Sequence, residues 1–438
     1  MITPRFAVPF VLLLAGVAAG EPGVTRADQR AAIEAVMRKM EAATLAGDAK
    51  AYTALLDPAD DVFFTEQANL AKDLARVPAE SIVLSIVDTK GLPGAAPAQP
   101  AGEPPEHEPA VPTDKPVPPA ERRAPRTDRE WVDVGAPIDA VFDDDRAEFR
   151  MQMTWKMKGW TRARTLTMPV VFTRDARAGG AWRYAGEKWE GVVVPASGTF
   201  NGVRVLFEPG NSRHKELAGA IAAGMPEIRS TVDVHFNMDT PGPVTIKLYQ
   251  SMQHLQASIW LSYTDSLGGW NEPKESMKIL ARSNYDALKK TIAHEYGHCV
   301  TFHMGAKATD APWWVLEGSA DFAAAPYRRN PARSRDAAVR NWAKRDGLAD
   351  WDKIEAFPIP DEFKKFMSNV YTQGEHMMAF IDLRYGTDAR IAFLRVLFQG
   401  KTADEASREG LGLPFADVDI AWRQSVHMQI GTEPKDDK

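Results

Sequence analysis

Three features of this 438-residue chain predict an α+β protein with two units in series, the second ending in a helical lobe. Helical periodicity gives way to strand-like alternation between Thr25 and Trp189. A proline-rich stretch interrupts that first unit, and a second set of strands and helices begins near Gly191 and becomes mainly helical after Tyr285. The length suits two to three domains at ~150 residues each. Hydrophobic residues make up 44% and charged residues 26%, which excludes a disordered chain and a membrane bundle. The 53 Lys and Arg against 59 Asp and Glu leave a net charge of −6. No basic block is dense enough to hold a phosphate backbone, so nucleic acid is not an expected partner. The single cysteine, Cys299, excludes an intramolecular disulfide and any CxxC metal or redox site.

Residues 1–20 carry one Arg, an apolar run from Phe6 to Ala19 and a small-residue Ala18-Ala19-Gly20 site before Glu21, the pattern of a secretory signal. The 14-residue run is short of the ~20 residues that a membrane helix needs. The expected product is an exported protein, periplasmic or extracellular, with no membrane span after removal of the signal.

In the first unit, residues 25–190, Ala32, Ile33, Val36, Met37 and Met40 recur at helix spacing, and the helical pattern runs to about Ala79 with a break at Asp57-Pro58. Residues 91–128 hold eleven of the 31 prolines and few large apolar side chains, predicting a disordered insertion. Phe149 to Trp155, Thr165 to Thr173 and Ala181 to Trp189 are expected strands. In the second unit, residues 191–438, strands are expected at Val203 to Glu208, Thr231 to Phe236, Val244 to Tyr249 and Ser276 to Leu280. Helices are expected at Lys215 to Ala223 and Ser251 to Ile259. A mixed sheet followed by a helical lobe implies a cleft where the two meet.

The chemistry is concentrated in Thr291-Ile292-Ala293-His294-Glu295-Tyr296-Gly297-His298-Cys299-Val300. Residues four apart on a helix lie one turn above each other, so His294 and His298 offer two imidazoles to one point, the geometry for zinc. Glu295 sits about 100° round the helix, where it can reach a water at the metal and serve as general base. Leu288, Ile292, Tyr296 and Val300 form the apolar side. A catalytic zinc takes a third protein ligand and keeps an open position. Trp313-Trp314-Val315-Leu316-Glu317-Gly318-Ser319-Ala320-Asp321 supplies a candidate ligand in Glu317 and, four residues on, Asp321 to fix the tautomer of a ligand histidine, with His294 the expected partner.

With HExxH followed by Glu317 in a W-x-x-E-G-x-A context, residues 195 to 430 resemble the gluzincin metallopeptidases of the peptidase MA clan. The metzincin pattern is excluded by Thr301 and Met304. The resemblance implies a thermolysin-like catalytic domain, one Zn²⁺ held by His294, His298 and Glu317, Glu295 as general base, and a peptide or protein substrate. It also implies an oxyanion donor from the helical lobe: Tyr371, in Tyr371-Thr372-Gln373-Gly374, with Tyr385 and His376 behind it. The strand Ser276 to Leu280, preceded by Gly268-Gly269, would be the edge on which an extended peptide lies. Gly268-Gly269-Trp270-Asn271-Glu272-Pro273 replaces the aminopeptidase G-x-M-E-N motif, which speaks against exopeptidase action. The first unit, with Gly180-Ala181-Trp182-Arg183-Tyr184, resembles a small NTF2-like domain.

The remaining features have plainer readings. Cys299 is expected as a small buried hydrophobe, His303 as a packed or half-exposed side chain, and the arginines from Arg328 to Arg340 as a solvated face. Gly297 within the helix implies close packing. The alternative function is a zinc-containing, non-hydrolytic protein that uses the cleft or the N-terminal unit to hold a peptide or protein partner; an intact Glu295 argues against it.

Overall fold

The computed structural model describes residues 25–87, 140–175, 179–238, 240, 242–281, 283–328 and 331–431. The expected signal at 1–20 and the expected insertion at 91–128 lie outside them.

Three helices open the fold: α1 (Arg26–Ala46), α2 (Ala49–Thr53) and α3 (Asp61–Arg76). Thr25 starts α1 with a reciprocal capping box to Asp28, and Asp60 caps α3 by accepting from the Val62 and Phe63 amides. They cover an antiparallel sheet of β1 (Ala79–Val87), β2 (Val141–Phe142), β3 (Arg146–Met157), β4 (Arg164–Asp175) and β5 (Ala181–Glu187), in the order β1-β3-β4-β5 with β2 on β3. Strand β1 was not anticipated. Its buried Ile82 and Leu84 alternate with exposed neighbours, a period-2 signal that directly follows a helical one.

The second sheet contains β6 (Glu190–Val194), β7 (Val203–Phe207), β8 (Val244–Tyr249), β9 (Gly269–Glu272) and β10 (Ser276–Leu280), in the order β6-β7-β8-β10-β9. Strands β7, β8 and β10 are mutually parallel, whereas β6 and β9 run antiparallel at the two edges. The expected edge position of Ser276 to Leu280 is therefore corrected. β9 lies outside it, and its four residues with a leading glycine and a following Pro273 left little periodicity to read.

Thr231 to Phe236 is also corrected, from strand to helix. It is the last part of α4 (Ser212–Phe236), whose buried Ile221, Met225, Ile228, Val232 and Phe236 recur at three- and four-residue spacing. The β-branched residues favour a strand locally, but burial of this stripe against β7 and β8 decides the outcome. Helix α5 (Met252–Ile259) lies between β8 and β9.

The helical lobe comprises α6 (Tyr285–Met304), α7 (Trp313–Ala324), α8 (Pro331–Ala343), α9 (Met367–Tyr385), α10 (Thr387–Leu397), α11 (Ala403–Leu411) and α12 (Phe415–Gly431). One face of the second sheet, through Val203, Val205, Ile246, Met277 and Ile279, shares a core with α4 and α6. The opposite face meets α3. Buried Glu66 pairs with Lys247 of β8 and accepts from Ser276 of β10, and the Asn69 amide donates to Glu272 of β9 at 2.8 Å. Covered on both faces, β8 and β10 are buried along their whole length.

Candidate metal centre

Helix α6 carries His294, Glu295 and His298. It begins at Asn284, whose side chain accepts from the Ala287 amide at 3.0 Å, and it is fixed to α4 by the Tyr296 hydroxyl, which donates to Asp233 at 2.8 Å. Leu288, Ile292, Tyr296 and Val300 are all buried, as is Cys299. Helix α7 crosses α6 where a β-carbon on Gly297 would stand 3.2 Å from the Ala320 backbone, so the close approach expected at this glycine is present. This contact brings Glu317 to the imidazoles.

Three donor atoms converge. His294 Nε2 lies 3.1 Å from His298 Nε2 and 3.0 Å from a Glu317 carboxylate oxygen, which is 3.4 Å from His298 Nε2. A tetrahedral zinc with bonds of ~2.0–2.1 Å requires ligand separations of ~3.3–3.4 Å. The three residues form a metal-capable group among the described residues. The other nitrogen of His294, Nδ1, stands 2.8 Å from Asp321. A carboxylate only accepts, so Nδ1 carries the proton and Nε2 of the neutral ring directs a lone pair into the triangle. Lone pairs and a carboxylate facing one another at this spacing suit a cation, so the donor set fits zinc.

In the protein alone, a proton on His294 Nε2 takes the place that a cation would fill. Burial disfavours charge on His294, but its contacts with Asp321 and Glu317 outweigh this and, from protein groups alone, push it up to about 10. Burial acts to raise the pKa of Glu317, yet His298 and His294 hold it well below the usual carboxylate range. Burial likewise opposes ionisation of Asp321, and the His294 hydrogen bond with the charges of Lys290 and Arg328 prevails to keep it ionised. Glu295 differs: burial raises it more than the two imidazoles lower it, leaving a more basic carboxylate.

Around this core stand groups that the sequence did not reveal. The Trp313 indole donates to the second oxygen of Glu317 at 2.8 Å, from one turn earlier on α7. That i, i+4 relation was visible in the sequence, but an aromatic there reads equally well as core. Arg328 reaches Asp321 at 2.6 Å and also pairs with Glu375 of α9, which Arg335 approaches at 3.6 Å. The solvated-face expectation is therefore wrong for Arg328 and Arg335, which both approach the buried Glu375 of another helix, although Arg335 also pairs with its neighbour Asp336 at 3.0 Å.

Tyr371 of α9 has its ring 6.3 Å from that of His294 and 6.0 Å from that of Trp313. Burial, then the charges of Glu317 and Glu295, push its phenol far up, so it stays protonated. Tyr385, at the end of α9, packs on Phe380, and His376 accepts from the Trp422 indole at 2.8 Å. The half-exposed His303 pairs with Glu275. On β9, a β-carbon on Gly269 would meet the Glu295 carboxylate at 2.7 Å, and Gly268 faces Thr291, 3.5 Å from a β-carbon built there. Gly269 thus lets the edge strand touch the general-base candidate.

Among solved structures, the chain resembles an M1 zinc metallopeptidase from Deinococcus radiodurans at 16% identity and a TM-score of 0.37, covering 64% of this chain and 60% of that one. It also resembles a two-domain M1 zinc metallopeptidase mutant bound to L-arginine, with 16% identity, TM-score 0.37 and coverage of 64% and 61%. Legionella pneumophila aminopeptidase A in complex with aspartic acid follows at 11% identity and TM-score 0.35, covering 62% of this chain and 30% of that one. The chain thus spans about three fifths or less of the length of these structures. No curated protein matches it. Residues 232–428, which include Glu317, Tyr371 and the helix that bears the HExxH motif, match the family model described as Peptidase MA superfamily.

Proposed function

We propose that this protein is an exported zinc-dependent metallopeptidase that hydrolyses peptide bonds with Glu295 as general base. The observation that carries the reading is the triangle of His294, His298 and Glu317 donor atoms with Glu295 and the edge strand β9 beside it. A single zinc held by those three residues would supply Lewis acidity, making water a nucleophile near neutral pH and polarising the scissile carbonyl. Glu295, made more basic by burial, takes the proton from the attacking water at a carboxylate oxygen and returns it to the leaving amine. Asp321 holds the proton of His294 on Nδ1, and Trp313 holds one oxygen of Glu317, so both ligands keep their orientation. Tyr371, protonated and close to His294, donates to the oxygen on which negative charge develops. Gly268 and Gly269 lead into β9, whose outer edge pairs with no strand among the described residues and would take an extended peptide backbone.

The apolar run Phe6–Ala19 supports export to the periplasm or beyond. Among the described residues no helix is long and apolar enough to cross a membrane. The N-terminal unit, three helices on an antiparallel sheet, is read as an NTF2-like accessory domain. The test compares wild type with Glu295→Gln, each shown to hold one zinc, on a peptide library with free and blocked ends. Cleavage by wild type alone supports the mechanism, and the blocked peptides separate endo- from exo-action. Equal inactivity with zinc bound would favour the non-hydrolytic binding reading.

A further inference from the structure

The metal site opens onto a continuous aromatic wall. Trp313, whose indole holds Glu317, has its ring 4.9 Å from Phe357. Phe357 in turn stands 6.1 Å from both Trp260 and Trp270, which are 5.5 Å apart, and Tyr263 closes the group at 5.9 Å and 6.0 Å from those two rings. The wall therefore runs from the helix bearing a metal ligand, across Phe357, to the edge strand.

These rings are not a sealed core. Phe357 is 42% exposed, and Trp260, Tyr263 and Trp270 are half-buried. A contiguous, partly solvated aromatic surface beside a reactive centre is a place for an apolar ligand group. Its register is set by β9. Gly269 touches Glu295, and successive strand residues face opposite sides, so Trp270 is presented on the other face, where its indole donates to Glu272 at 3.3 Å. Among the described residues no strand pairs with the outer edge of β9. A peptide laid there would alternate its side chains between the Glu295 side and the aromatic side, and the latter are the ones that meet Trp270 and Phe357.

We infer that this wall is the specificity subsite, selecting peptides with an aromatic or large apolar side chain next to the scissile bond. Phe357 and Trp270 are its determining residues. The inference rests on the peptidase reading for its location, and its occupant is chosen by chemistry: flat, polarisable rings with few charged groups among them.

The test uses the full-length, zinc-loaded protein and end-blocked peptides that differ at one position, carrying Phe, Leu, Ala or Asp. Two quantities are read: kcat/KM of the wild type, and Kd of the same peptides for Glu295→Gln, which needs no turnover. The expected preference for Phe over Ala is about 10–100-fold at one position flanking the cleaved bond. Phe357→Ala and Trp270→Ala should each reduce that ratio toward one, Phe357→Leu should retain most of it, and Leu383→Ala, on an exposed side chain of α9, should leave it intact. Cleavage without a Phe preference, or a preference unchanged in both alanine variants, would overturn the inference while the peptidase reading stands. No cleavage by wild type together with Phe-selective binding by Glu295→Gln would overturn the peptidase reading and keep the subsite. Neither cleavage nor selective binding would overturn both.

Discussion

Gly318 of α7 and Gly374 of α9 cross backbone to backbone: a β-carbon on Gly318 would lie 2.4 Å from the Gly374 carbonyl carbon. A β-carbon on Gly374 would in turn lie 2.3 Å from the Trp314 carbonyl oxygen. Glu317 precedes one glycine by a single residue, and Tyr371 precedes the other by three. The crossing thus sets the distance between Glu317, the proposed third metal ligand, and Tyr371, the proposed oxyanion donor. Backbone cannot rotate aside as a side chain can, so Gly374→Ala should force the helices apart. The expected cost is about 1–3 kcal/mol of stability, the usual range for overpacking, measured by denaturant unfolding of the variant against wild type. Turnover should fall by more than the folded fraction does.

Trp313→Phe keeps an aromatic ring but removes the donor to Glu317. Loss of such a partner of a ligand typically costs 10–100-fold in metal affinity. Competition with a chelator should show a weakening of about that size, with the unfolding midpoint of the metal-free protein little changed.

Arg328 joins two helices by pairing with both Asp321 and Glu375. Arg328→Met leaves two buried carboxylates short of a cationic partner. Zinc affinity should fall, and Arg328→Lys should restore only part of it, because an ammonium lacks the fork that reaches both acids. Titration with zinc of the three proteins gives the ranking.

The pH dependence of the metal-free protein follows from His294, pushed up from its ordinary 6.5 to about 10. A raised pKa means that the folded state holds the proton more tightly. The associated stability is fully present below about pH 6.5 and is lost as pH rises through about 10. Zinc needs the neutral ring, so metal affinity should instead fall as pH is lowered. Unfolding midpoints of chelator-treated wild type and His294→Gln across pH 6–11 should converge at the alkaline end.

Glu66 is buried with Lys247 and Ser276. Glu66→Gln leaves Lys247 charged and poorly compensated, for an expected loss of about 3–5 kcal/mol by denaturant unfolding. Burial alone would raise the Glu66 pKa, but Lys247 and Lys278 lower it below its ordinary 4.5. Its contribution in wild type is therefore present above about pH 4.5 and is lost as pH falls through the lower folded value.

The candidate metal centre was legible because its geometry depends on spacing within single helices: His294 and His298 four positions apart, and one turn from Glu317 to Asp321. The approach of α7 to α6 left a local trace in Gly297. Trp313 left only an ambiguous i, i+4 trace, and the longer-range contacts left none, since Arg328 meets Glu375 across 47 positions and Phe357 meets Trp270 of β9 from a loop far along the chain. Thr231 to Phe236 was misread because its β-branched residues dominate a short window, whereas the stripe that makes it helical starts ten residues earlier. The edge strand β9 is too short and too glycine-rich to announce itself, although its glycine is what admits Glu295.

Helix α3 belongs to the N-terminal helices by sequence and to the second sheet by charge. Its Glu66 and Asn69 answer Lys247, Ser276 and Glu272 on the three strands nearest the metal helix. The metal-binding half is consequently not a portable cassette. Severed from its first ninety residues, it would expose a sheet face with lysines seated for an absent carboxylate, and a nick in the chain between the two halves would be tolerated only while α3 stayed docked.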